Sequence, residues 1–168
     1  IGRARGGLEA RGAVLTIDYS PEPIPVSIDG DGLSVVVNNL LDNAVKYSSG
    51  GRKPIRVSLE SHDGIVEIHV DDEGIGLKEG EERIVFERFY RVGDEITRES
   101  SGIGLGLYLV KSITEGMNGW VRAGPNPDAP QGSRFTVVLP RRLAVESPPT
   151  TNRQPTRVRI ADGRGRTR

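Results

Sequence analysis

The chain reads as an α/β protein with one main domain, and three observations lead there. Residues 55–61 and 65–71 alternate apolar and polar side chains around His62-Asp63-Gly64, the pattern of a half-buried β-hairpin. Residues 31–47 place Leu33, Val37, Leu40, Leu41 and Ala44 on one side of a helix, with a polar stripe opposite. A second helical pattern at 105–115 leads into two more strand-like runs, 120–123 and 133–139. At 168 residues the chain is long enough for a real core.

The elements follow in order. Residues 1–12 are rich in Gly and Arg, hold little that can be buried, and are expected to form a poorly ordered lead-in with at most a short helical end. Residues 14–19 are β-rich and predict a strand. Ser20-Pro-Glu-Pro-Ile-Pro25 predicts an extended turn, and 26–28 a short strand. Asp29 to Asp31 offers a cap for a helix running to about Tyr47, and Ser48-Ser-Gly-Gly51 stops it. Beyond the hairpin, 81–90 predicts a short helix and the polar, Gly-punctuated 93–101 a mobile loop. The folded domain is expected to span 13–142. From Glu146 onward six Arg oppose Glu146 and Asp162, a net of 6 − 2 = +4. With three Pro in that stretch and almost no aliphatics, 143–168 is expected to be a disordered basic tail.

Composition excludes several classes. There is no Cys, hence no disulfide scaffold and no thiol chemistry, and two His cannot build a His-rich metal site. The formal net charge is zero, so global charge predicts no nucleic-acid partner. No apolar run approaches the roughly 18 residues of a membrane span, and the start lacks the apolar core of a signal peptide. A cytoplasmic protein without membrane insertion is the expectation.

Three clusters carry chemistry. On the 31–47 helix, Asn39, Asn43 and Lys46 fall within about 60° of one another at 100° per residue. A solvated helix face would have the same stripe, but Asn is a mediocre helix former, and a pair at i,i+4 argues for selected geometry. Mg²⁺ takes oxygen ligands, keeps several waters and phosphate oxygens, and so needs few protein ligands; one Asn43 amide oxygen suits it. Lys46 can set a cation against phosphate, and Tyr47 can pack on a nucleotide. The second cluster, Asp72-Glu-Gly74-Ile-Gly76, closes an alternating strand with glycines that permit close backbone approach. Alone it also fits an ordinary acidic turn. The third, Gly102-Ile-Gly104-Leu105-Gly106-Leu107, opens a helix whose free amides attract phosphate. No Gly-Lys-Ser/Thr follows, so it is not a Walker A loop, and Leu107 breaks the dinucleotide fingerprint. Between the last two lies Phe86-Glu-Arg-Phe-Tyr-Arg91, which by itself predicts an amphipathic helix.

In this order and spacing the clusters resemble the ATP-binding catalytic domain of sensor histidine kinases, in the superfamily that includes gyrase B and Hsp90. The resemblance covers about residues 14–140. It implies a two-layer α/β sandwich of the Bergerat type: a mixed, largely antiparallel sheet of about five strands on three main helices, with a mobile ATP lid. It implies Asn43 as the Mg²⁺ ligand with Asn39 beside it, and Asp72 accepting from the adenine amine. Gly74 and Gly76 would line the base pocket, and Gly102, Gly104, Leu105, Gly106 and Leu107 the phosphate side. Lys46 and either Arg88 or Arg91 would meet the phosphates. Related ATPases and serine-phosphorylating anti-sigma factors typically have Glu at position 39 as general base. Asn39 cannot serve so, which favours a His acceptor, whose ring nitrogen already bears a lone pair.

The chain departs from the family at Gly116-Met117-Asn118-Gly119, where a His-Gly-Gly-like helix end is usual. It also lacks the upstream helical segment with an acceptor His; His62 falls in the hairpin turn, and His69 in a strand. The resemblance therefore implies a catalytic half that uses ATP and Mg²⁺ to phosphorylate a His on a separate dimerisation protein. A response regulator would lie downstream, and the half alone would be a monomer. An anti-sigma factor with serine kinase activity, and a non-catalytic ATP-binding fragment, are the alternatives.

Overall fold

The computed structural model describes residues 5–19, 24, 26, 28–48, 50–91 and 103–141. The loop expected at 93–101, Gly102 and the tail at 143–168 lie outside the described residues. In chain order the elements are α1 Arg5–Glu9, β1 Ala13–Tyr19, α2 Gly30–Tyr47, β2 Lys53–His62, β3 Ile65–Asp72, α3 Glu81–Ile84, α4 Gly106–Gly116, β4 Trp120–Pro125 and β5 Ser133–Pro140. The five strands line up as β1-β2-β3-β5-β4. β1 runs parallel to β2, and every other pair is antiparallel.

The hairpin forms because its turn has the right chemistry. Register pairs His62 with Ile65, so Asp63 and Gly64 alone make the loop. Both have positive φ, 46° and 78°, as a two-residue type I′ turn requires. Alternation then divides the sheet. Ile55, Val57, Ile68, Val70, Phe135, Val137 and Leu139 are buried in one core with the helices. Arg56, Glu67, His69, Asp71, Arg122 and Arg134 point to the opposite face, where they pair with one another or with nearby carboxylates and hydroxyls.

α2 starts where Asp29 accepts a hydrogen bond from the Asp31 amide, a side-chain cap for an otherwise unpaired donor. It buries Val36, Val37, Leu40, Leu41, Ala44 and Val45 against the sheet, with Leu33 half-buried at the rim. Each fully buried Leu there contributes roughly 1.5–3 kcal/mol. α4 lies beside α2, and the two cover one face. Phe86 meets Phe135 edge-on, with ring centroids 6.2 Å apart, sealing the core from the side.

Four expectations change. No strand forms at 26–28 among the described residues; Ile28 instead packs on the core just before the Asp29 cap. The preceding Pro21, Pro23 and Pro25 have no N–H to start a ladder. The helix expected over 81–90 is only the four-residue α3; the chain then runs on in turns and bends to Phe89, which adopts φ 63° and gives its N–H to the Gly104 carbonyl. Among the described residues the sheet is covered by two long helices and two short ones, where three main ones were expected. Finally, the lead-in does bury something: Leu8 of α1 is 5% exposed and joins the core.

Candidate functional site

The polar stripe of α2 faces α4. The Asn39 amide donates to the Val35 carbonyl at 2.8 Å, which turns its oxygen toward Gly106. A Cβ built on Gly106 would lie 3.0 Å from Asn39 Oδ1 and 3.9 Å from Asn43 Nδ2, so both carboxamides meet the start of α4. One turn on, the Lys46 ammonium sits 5.1 Å from the Tyr47 ring centroid.

Asp72 ends β3, and alternation puts it on the helix side while Asp71 faces away. Its Oδ1 accepts the Gly74 amide at 2.8 Å and the Ser133 amide at 3.3 Å. Burial pushes its carboxyl above the ordinary value of 3.8, and the two amides pull part of that back. Gly74 has no room for a side chain: its Cβ would come within 2.5 Å of the Tyr47 carbonyl oxygen. The next residue, Ile75, gives its N–H to that same carbonyl, which ties the turn to the end of α2.

The segment after α3 is fixed by Glu81. Its carboxylate accepts the Lys78 amide and the Tyr90 hydroxyl. Arg88 stacks on the Tyr108 ring at 4.4 Å, binding this segment to α4. Gly104 adopts φ 75°, and a Cβ there would strike Phe89 backbone atoms at 2.8 Å and 2.9 Å. The two chains that flank 92–102 are thus pressed together at their bases. Leu105, the residue before α4, provides no side-chain cap, so the first amides of the helix are open to an anion.

These parts enclose a cavity of about 740 Å³, a usual size for a small-molecule site. Asp72, Gly76, Asn43, Lys46 and residues 104–107 line it, with Tyr47 and Arg91 also on the wall. Asn39 stands behind Gly106, Gly74 supports Asp72 from below, and Arg88 is engaged by Tyr108 outside the cavity. Gly102 is outside the described residues. Sequence reasoning missed Ser133, whose amide holds Asp72; its signal was a Gly-Ser pair opening the last strand. It also missed Arg11, which lines the cavity mouth beside Asp42, its ion-pair partner. His69 is far from consideration as a reacting group in this cavity: it is 3% exposed on the other sheet face, bonded to Thr136.

A buried carboxylate, carboxamides, cations and an uncapped helix start around one cavity suit a nucleotide-binding α/β sandwich. The family model described as histidine kinase-, DNA gyrase B- and HSP90-like ATPase matches residues 28–143, and the chain belongs to that family. The sensor-like histidine kinase SenX3 of Mycolicibacterium smegmatis is 39% identical over 111 residues, 66% of this chain and 28% of that protein. The sensor histidine kinase CpxA of Escherichia coli K12 is 33% identical over 132 residues, 79% of this chain and 28% of that one. The solved mycobacterial sensor histidine kinase MprB superposes with a TM-score of 0.71 at 33% identity, covering 84% of this chain and 91% of that structure. The chain spans about a quarter of the curated relatives' length. The resemblance read from the three clusters therefore holds, as does the mixed five-stranded α/β fold it implied. No helix among the described residues is long and apolar enough to cross a membrane.

Proposed function

We propose that this domain binds Mg-ATP and transfers the γ-phosphoryl group to a His on a separate phosphoacceptor and dimerisation protein, for onward transfer to a response regulator. The observation that carries the reading is one cavity lined by Asp72, Asn43, Lys46 and the uncapped start of α4. Asp72 accepts a hydrogen bond from the adenine amine, and a guanine carbonyl at that place meets a carboxylate instead. The first amides of α4 cradle the phosphates, and Lys46 and Arg91 offset their charge.

The donor set also fits magnesium. Among the described residues no cluster of three His, Cys, Asp or Glu exists to hold a metal, and the Asn43 carboxamide, which lines the cavity near Gly106, has one amide oxygen to offer. That suits an ion that takes most of its ligands from phosphate and water. When bound, it neutralises charge developing on the phosphates. Asn39 has no basic function, which a His acceptor does not need. The imidazole nitrogen forms the new bond to phosphorus with its own lone pair. The bond to the β–γ bridging oxygen breaks, ADP leaves with that electron pair, and the other ring proton passes to solvent.

Phe89 and Ile103 are 65% and 75% exposed on either side of the Gly104 contact, an apolar edge next to the phosphates. On this reading the domain is a cytoplasmic monomer when alone. The test mixes the chain with γ-labelled ATP, Mg²⁺ and a His-bearing helical-hairpin partner. Acid-labile label on the partner is expected. Label on this chain alone, or ATP binding with transfer to no partner, defeats the trans-kinase reading; acid-stable label assigns the chain to Ser phosphorylation.

A further inference from the structure

The connection between β4 and β5 does something that no helix motif accounts for. The β3–β5 ladder ends at the pair Asp71 and Arg134. One step further, Ser133 does not give its N–H to a β3 carbonyl but to the Asp72 carboxylate, at 3.3 Å. The Asp72 carbonyl is taken up instead by a side chain: Asn126 Nδ2 donates to it at 2.9 Å. Asn126 Oδ1 accepts the Asp128 amide at 2.9 Å, so the carboxamide is oriented by partners at both ends. Asn126 is 9% exposed, and its own N–H closes the connection by bonding to the Gly132 carbonyl. Gly132 sits at φ 128°, with its missing Cβ only 2.0 Å from the Asp72 carbonyl oxygen. The backbone of the connection is thus pressed onto Asp72 and pinned there by Asn126. A second, exposed tie runs from Gln131 to the Ile75 carbonyl at 3.2 Å.

We propose that Asn126 is a positioning residue that sets base specificity. By holding the Asp72 main chain against the β4–β5 connection, it fixes the carboxylate so that one oxygen is occupied by Gly74 and Ser133 and the other is aimed at an adenine-type amine. The inference rests on the reading of Asp72 as the base acceptor. Without the Asn126 donor, the buried Asp72 carbonyl loses its partner and the carboxylate gains freedom to turn. That freedom weakens a bond that depends on direction, and leaves phosphate contacts at the far end of the cavity unchanged.

The test is calorimetric binding of ADP and GDP, which differ in presenting an amine or a carbonyl to Asp72. Wild type is expected to prefer ADP. Asn126→Ala is expected to weaken ADP by about tenfold, one hydrogen bond's worth, and to leave GDP unchanged, so the preference falls by the same factor. Asn126→Asp keeps an acceptor for the Asp128 amide and removes the donor. It is expected to behave likewise, and it serves if the Ala variant does not fold. Gln131→Ala is expected to leave the preference intact. Equal weakening of both nucleotides, or an unchanged preference in a folded variant, overturns the positioning role. A wild type with no ADP preference, or an Asp72→Ala variant that binds ADP as wild type does, overturns the base-acceptor reading and this inference with it.

Discussion

Asp71 and Asp72 are adjacent, and both are 3% exposed, yet they meet opposite environments. Asp71 is held by two Arg134 nitrogens at 2.6 Å and 2.8 Å, whereas Asp72 has only backbone amides and the cavity. Burial raises the folded-state value of Asp72 above 3.8. The ionised form is therefore the costly one in the free chain: the stabilising contribution is complete below 3.8 and is lost as pH rises through the raised value. Urea unfolding of wild type and Asp72→Asn across this range should show wild type losing stability relative to the variant with rising pH. A constant or opposite difference would mean that burial does not govern this carboxylate. Which of the two acids faces the cavity was legible from strand alternation once the hairpin register was known. That Asn126 and Ser133 hold it was not: the Gly-Ser pair marks only the start of a strand, and contacts across 54 and 61 residues leave no local pattern that names their partner.

At the scale of elements, the helices and the hairpin were legible because each had both a period and a terminator. α2 had Asp29 at its start, and β2–β3 had Asp63-Gly64 between them. The helix expected at 81–90 failed for a reason invisible in its own residues. Its pattern is amphipathic, but α3 stops at Ile84, and Phe89, left-handed at φ 63°, bonds instead to the Gly104 carbonyl 15 residues later. That contact makes a further prediction. Gly104→Ala adds a Cβ against backbone at positive φ, a strain of more than about 1 kcal/mol. Hydrogen exchange should find the Phe89 amide deprotected and ATP binding weakened, with β3 and β5 amides as slow as in wild type. Retained protection at Phe89 would show that the neck tolerates the methyl group.

The molecule as a whole separates its work by face. One side of the sheet carries the helices and the cavity. The other carries a charged lattice in which Arg56 bridges Asp18 and Asp128, and Arg122 meets Glu67. Removing a lattice partner should therefore affect folding alone. Arg134→Ala leaves the buried Asp71 without its two charged bonds and is expected to cost about 2–3 kcal/mol in urea unfolding, with ADP affinity measured by calorimetry unchanged. Weakened ADP binding in that variant would mean that the two faces are coupled through β3.

The strand directions also give the domain two poles. β2 begins and β3 ends beside the cavity, where Arg11 enters; β5 ends at the hairpin, where the Arg141 amide bonds to the Gly64 carbonyl. The eight residues of β3 separate these points by roughly 23 Å, at about 3.3 Å per step. A fluorophore attached at position 141 itself is thus held at the far pole and leaves the cavity clear, whereas one attached at position 11 stands on the cavity lining.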